Sequence, residues 1–177
     1  MNEQDVSYLW DRRHGLLYRV QLSVLYHQKR ERYFDACDKI AKAIAIIGGS
    51  AALSRMGGPD LILYVAAVIT ITSTLSLVFG FSDRSKRHSE LARSFRQLEA
   101  EICGKGERDF TEADLNAWTA KERTLEGSEP PALGALVILC QNELAMAQGQ
   151  QDKIVRISWL RRTLAHVLDI PPPHHPA

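Results

Sequence analysis

Few side chains in this sequence stand in a pattern that does covalent chemistry. It holds no Gly-rich phosphate loop, no Ser/His/Asp spacing, no paired-cysteine motif and no His-Glu-x-x-His helix. His27 is the histidine of most interest, beside Tyr26 and three residues before Arg30. An imidazole there reads either as a pH- or ligand-responsive group in a helical stalk, or as a hydrogen-bonded member of a helix seam facing Glu90. His174 and His175 are adjacent on a proline-bounded tail, which makes a poor metal site. The acids between Glu107 and Glu129 read as the solvated face of a helix rather than an acid–base pair. No catalytic, cofactor or metal residue is assigned.

The remaining chemistry is that of surfaces. Thr70, Thr72, Ser73, Thr74 and Ser76 put five hydroxyls in one apolar stretch. At about 100° per residue they spread over roughly 200° of a helix. Such hydroxyls either bond back to helix carbonyls or face other subunits or a water-filled path. Gly48, Gly49, Ser50, Ala51 and Ala52 form a cluster of small residues, which in a membrane helix permits close backbone approach. Gly48, Gly49, Ser50, Thr70, Ser73 and Thr74 are the candidates for assembly or pore lining, and His27 is the candidate switch.

These residues need elements to hold them. Leu61 to Phe81 is a run of 21 residues without a charge or a proline. As a helix it spans roughly 31 Å, about the thickness of a bilayer's hydrocarbon core. A second apolar stretch, about 40–56, precedes it. Only 12 uncharged residues lie between Lys42 and Arg55, so both ends must snorkel to the interface. Met56-Gly57-Gly58-Pro59-Asp60 joins the two as a tight turn, giving a transmembrane hairpin. Lys and Arg crowd both flanks (Arg12 to Lys42, Arg84 to Arg96), while the turn has only Arg55, offset by Asp60. The positive-inside rule then puts both termini in the cytoplasm.

Helical stripes continue beyond the spans. Leu17, Val20 and Val24 recur upstream, and Leu91, Phe95, Leu98 and Ile102 downstream. A hairpin centred near residues 57 and 58 pairs Val24 with Leu91, Val20 with Phe95 and Leu17 with Leu98. The spacing thus predicts two long helices, roughly 16–54 and 61–103. Thr111 then caps a helix that stops at Gly127, Pro130-Pro131 opens another over 131–148, and a last amphipathic helix carries Ile154, Ile157, Leu160, Leu164 and Val167. That last helix holds Arg156, Trp159, Arg161 and Arg162, a composition suited to an anionic membrane surface, although packing on the 131–148 helix is its more ordinary use.

The expected fold class is all-α: a membrane hairpin extended as a cytoplasmic antiparallel stalk over 1–106, a cytoplasmic helical region over 107–170, and a disordered tail over 171–177. Mean hydropathy is low, −0.18, so most of the chain lies in water. A net charge of +1 argues against a coat for nucleic acid. The three cysteines are odd in number and widely spaced, as expected of reduced thiols. The first fifteen residues lack an apolar h-region, so the spans themselves direct insertion.

The arrangement resembles the SLATT family, two-transmembrane modules of bacterial nucleotide-signalling defence systems. The resemblance covers about Leu16 to Cys103. It rests on Tyr18-Arg19-Val20-Gln21-Leu22, Tyr26-His27-Gln28-Lys29-Arg30, Phe34-Asp35 and Gly48-Gly49-Ser50-Ala51-Ala52. It implies an effector in the bacterial inner membrane that oligomerises and permeabilises the bilayer, triggered by a partner sensor protein. The competing expectation is a non-conducting phage or prophage adaptor, or a superinfection-exclusion factor, that binds a partner through its cytoplasmic helices. Neither reading involves an enzyme.

Overall fold

A computed structural model describes residues 3–53, 58–107 and 109–167. Arg55, Met56 and Gly57 of the expected turn lie outside the described residues, as does the 171–177 tail. The fold is all-α, with no strand among the described residues. Its helices are α1 (Glu3–Leu53), α2 (Pro59–Phe79), α3 (Phe81–Gly104), α4 (Glu112–Glu126), α5 (Gly134–Ala147) and the short α6 (Trp159–Leu164). The chain divides into two compact units, Lys29–His88 and the remainder.

In the Lys29–His88 unit, Pro59 stands in the first turn of α2, where its missing N–H costs no bond. Asp60 adds a favourable negative charge at the same end. The helix expected over 61–103 is broken at Gly80. Its φ of 56° and ψ of 48° are left-handed, which glycine alone adopts without a Cβ penalty. Its N–H still reaches the Ser76 carbonyl at 3.0 Å, and its own carbonyl accepts from the Arg84 N–H at 3.0 Å, so α3 restarts at once.

The second unit is built on Leu16, Val20 and Val24 of α1 and Phe95, Leu98 and Ile102 of α3, with Leu115 and Trp118 of α4. Leu16, rather than the expected Leu17, is the buried residue of its turn, and Leu17 packs at the edge. Gln21 of α1 donates to Glu99 of α3 at 3.0 Å across this seam. α4 starts as expected. The Asp114 N–H donates to the Thr111 hydroxyl at 3.3 Å, and the Thr111 N–H donates back to Asp114 at 2.8 Å. Its cap is Gly127, the expected stop.

Two expectations for the C-terminal part are corrected. α5 begins at Gly134 and not at the prolines, because Leu133 has an extended backbone and serves as the N-cap. The Leu133 N–H instead donates to the Tyr26 hydroxyl at 3.1 Å. The last helix is also much shorter than its apolar spacing predicts. Asn142 of α5 clamps Val155, accepting its N–H at 2.8 Å and donating to its carbonyl at 2.7 Å. Residues 154–158 therefore run without helix, and only Trp159–Leu164 forms α6.

Candidate functional site

Among the described residues, one helix is long and apolar enough to cross a membrane, the stretch that begins at Asp60, and its most apolar window is not buried anywhere in the protein. α1, which carries the expected first span, does not meet that combined requirement of length and apolarity among the described residues. Within the Lys29–His88 unit the exposed apolar side chains nonetheless come from both helices. Leu63, Tyr64, Ile71, Leu77 and Val78 of α2 and Ile46 and Ile47 of α1 are each at least half exposed. An exposed apolar surface of this extent marks a membrane or protein contact.

The small residues divide by direction. A Cβ placed on Gly48 would lie 2.8 Å from Ile69 Cδ1, 2.9 Å from Ile69 Cγ1 and 3.2 Å from Val65 Cγ1, so Gly48 is where α2 seats against α1. Gly49 meets nothing within 4 Å. Ser50 is exposed and donates to the Ile46 carbonyl at 2.9 Å.

Among the hydroxyls, Thr70 donates to the Ala66 carbonyl at 2.8 Å, the usual self-contained bond of a hydroxyl in a helix. Ser73 lines a groove of about 330 Å³ with Ser76, Asp38, Lys42 and Asp83, beside the Gly80 break. Thr74 is exposed. The six candidate residues are thus distributed over α1 and α2. Gly48 is in the seam of α1 with α2, Gly49 and Ser50 follow it on α1, and Thr70, Ser73 and Thr74 lie within one turn of each other on α2, Ser73 lining the polar groove.

An aromatic and cationic cluster closes the charged end of this unit. Phe34 is buried and stacks on His88 (centroids 5.7 Å apart) and on Phe81 (6.4 Å). The Arg30 guanidinium lies 4.4 Å from its centroid and that of Arg84 5.8 Å, within cation–π range. The Ser85 hydroxyl donates to the Glu31 carbonyl at 3.3 Å, a further tie between α1 and α3. Burial, together with the neighbouring Cys37, pushes the Tyr33 hydroxyl above its usual range. The sequence signals for this cluster are weak, since each arginine there also reads as a flanking positive charge.

In the other unit His27 is fully buried, and its Nε2 lies 3.1 Å from Glu129 Oε1. It stacks on Phe95 at 5.8 Å and meets Tyr26 edge-on at 5.3 Å. Its carboxylate partner is thus Glu129 and not the expected Glu90. The acids of α4 are likewise not all solvated. Glu122 is 1% exposed and takes both Arg19 nitrogens, Nε at 2.6 Å and Nη2 at 2.9 Å. That bidentate bond holds the Arg19 guanidinium protonated above even its usual range. Arg13, expected only as a flanking charge, is buried and donates to the Ile102 carbonyl at 2.9 Å, satisfying one of the orphan acceptors that end α3. No family model, curated protein or solved structure matches this chain.

Proposed function

We propose that this protein is a membrane effector whose Lys29–His88 unit enters the bacterial inner membrane as a hairpin, oligomerises and makes the bilayer leak. Both termini remain in the cytoplasm. The observation that carries the reading is α2, where apolar side chains away from the Gly48 seam face outward and are covered by nothing else among the described residues. A core helix of a soluble protein would be covered, and this one is not. The end of α1 supports its pairing with α2, since Gly48 admits Val65 and Ile69 while Ile46 and Ile47 face outward. Gly49 and Ser50 then offer a small-residue surface to a neighbouring copy. The resemblance to SLATT hairpins supplies the setting, anti-phage defence under the control of a sensor protein.

The test is ion flux from liposomes that contain the purified protein. Wild type is expected to conduct, and Gly49→Leu to insert equally well without conducting or assembling. Insertion and assembly without flux would reject the pore and leave the non-conducting adaptor that binds a partner through its cytoplasmic helices.

A further inference from the structure

The hairpin makes no use of the surface at the end of the described chain. There α6 packs on α5, and Ala165 behind it is fully buried. The Asn142 clamp on Val155 holds the approach segment extended, so its position is fixed before α6 begins. The outward side carries large apolar groups in water. Trp159 is 73% exposed and Leu160 53%, and Leu164 and Val167 are exposed as well. Leu160 and Leu164 stand one turn apart, as do Trp159 and Arg162. Lys153, Arg156 and Arg162 are exposed around them and Arg161 is half-buried. Between Gln151 and Val167 the sole acid is Asp152, and among the described residues no carboxylate pairs with these four cations.

We infer that this face, Trp159 and Leu160 ringed by Lys153, Arg156, Arg161 and Arg162, adsorbs to an anionic lipid surface as a second, peripheral membrane contact. Tryptophan with an apolar body and a polar N–H prefers the headgroup layer, and arginines beside it meet lipid phosphates. The patch is a small cluster of exposed apolar and basic side chains. It is sufficient for a charged bilayer, where each basic group raises the adsorbed-to-free ratio roughly fivefold. The contact needs no pore and no insertion of α2.

The full chain is mixed with vesicles of phosphatidylcholine alone or with phosphatidylglycerol, each also prepared with brominated lipid to quench nearby tryptophan. Flotation reports membrane association, and the fluorescence lost in Trp159→Phe isolates Trp159, since Trp10 and Trp118 remain in both proteins. Quenching of Trp159 is expected only on the anionic vesicles. It should fall to the neutral-vesicle level in high salt and in the Arg156→Gln, Arg161→Gln, Arg162→Gln triple variant, with helix content unchanged. Flotation on anionic vesicles alone, with Trp159 quenched, would support this contact while rejecting insertion of the hairpin. A Trp159 that stays unquenched on anionic vesicles overturns the inference, whether or not the protein floats, and assigns the face to a protein partner. Quenching that survives the triple variant overturns it too.

Discussion

A carboxylate that water cannot reach must be held by something, and Glu122 is held by Arg19 with two bonds. Arg19→Met removes both while leaving the stem's packing, so Glu122 remains buried without its cation. The expected cost is about 2–3 kcal/mol, below the range for a fully buried pair because Arg19 is half exposed. Adding Glu122→Leu should restore most of that loss, which a double-mutant cycle by chemical denaturation would measure. Equal loss in the single and double variants would show that the pair contributes shape rather than charge. Asp114 provides the pH signature. Lys105 first, then Thr111, lower its carboxyl from 3.8 to about 2. A folded pKa below the unfolded one contributes stability that is complete above about pH 4 and lost as pH falls toward 2. The Asp114 carboxyl carbon shift should titrate near 2, and Asp114→Asn should remove that part of the acid-side slope. The Thr111 cap was legible because its spacing is local. The burial of Glu122 was not, since its partner stands over a hundred residues away and nothing nearby distinguishes Glu122 from its solvated neighbours.

The helices repeat that contrast at the scale of elements. Caps and stops such as Gly127 depend on a few adjacent residues and follow from the sequence. The length of α6 does not, because Asn142 on another helix decides the backbone of Val155. Gly80 is an intermediate case: a lone glycine in a long helical pattern has no local sign of a positive φ. Gly80→Ala is expected to cost about 1–2 kcal/mol through the left-handed angle, or to straighten α2 into α3. Helix content by circular dichroism, with the melting curve, separates these outcomes. The neighbouring small residues make a paired prediction. Gly48→Leu must displace Ile69 and Val65 and should disrupt the α1–α2 pair, lowering the thermal stability of the detergent-solubilised protein. Gly49→Leu enters open space and should leave that stability unchanged while abolishing assembly. The same loss of stability in both would mean that Gly49 has no role beyond internal packing.

For the molecule as a whole, the all-α class and the apolar character of α2 were readable from composition alone, since 21 uncharged residues fit few other structures. The grouping of the stalk residues with α4 and α5 was not readable, because it depends on Arg19, Tyr26 and His27 reaching groups distant in sequence. The central claim is that the chain crosses the membrane twice and returns, with Gly58 outside. Its most direct test is labelling of Gly58→Cys by an impermeant thiol reagent on intact cells, with native Cys103 as the internal reference. Cys103 is exposed in the fold, so only a membrane would protect it. The account predicts that the cysteine at 58 reacts from outside, and that Cys103 reacts only after the cells are permeabilised. Labelling of Cys103 from outside, or protection of position 58 until permeabilisation, would contradict it.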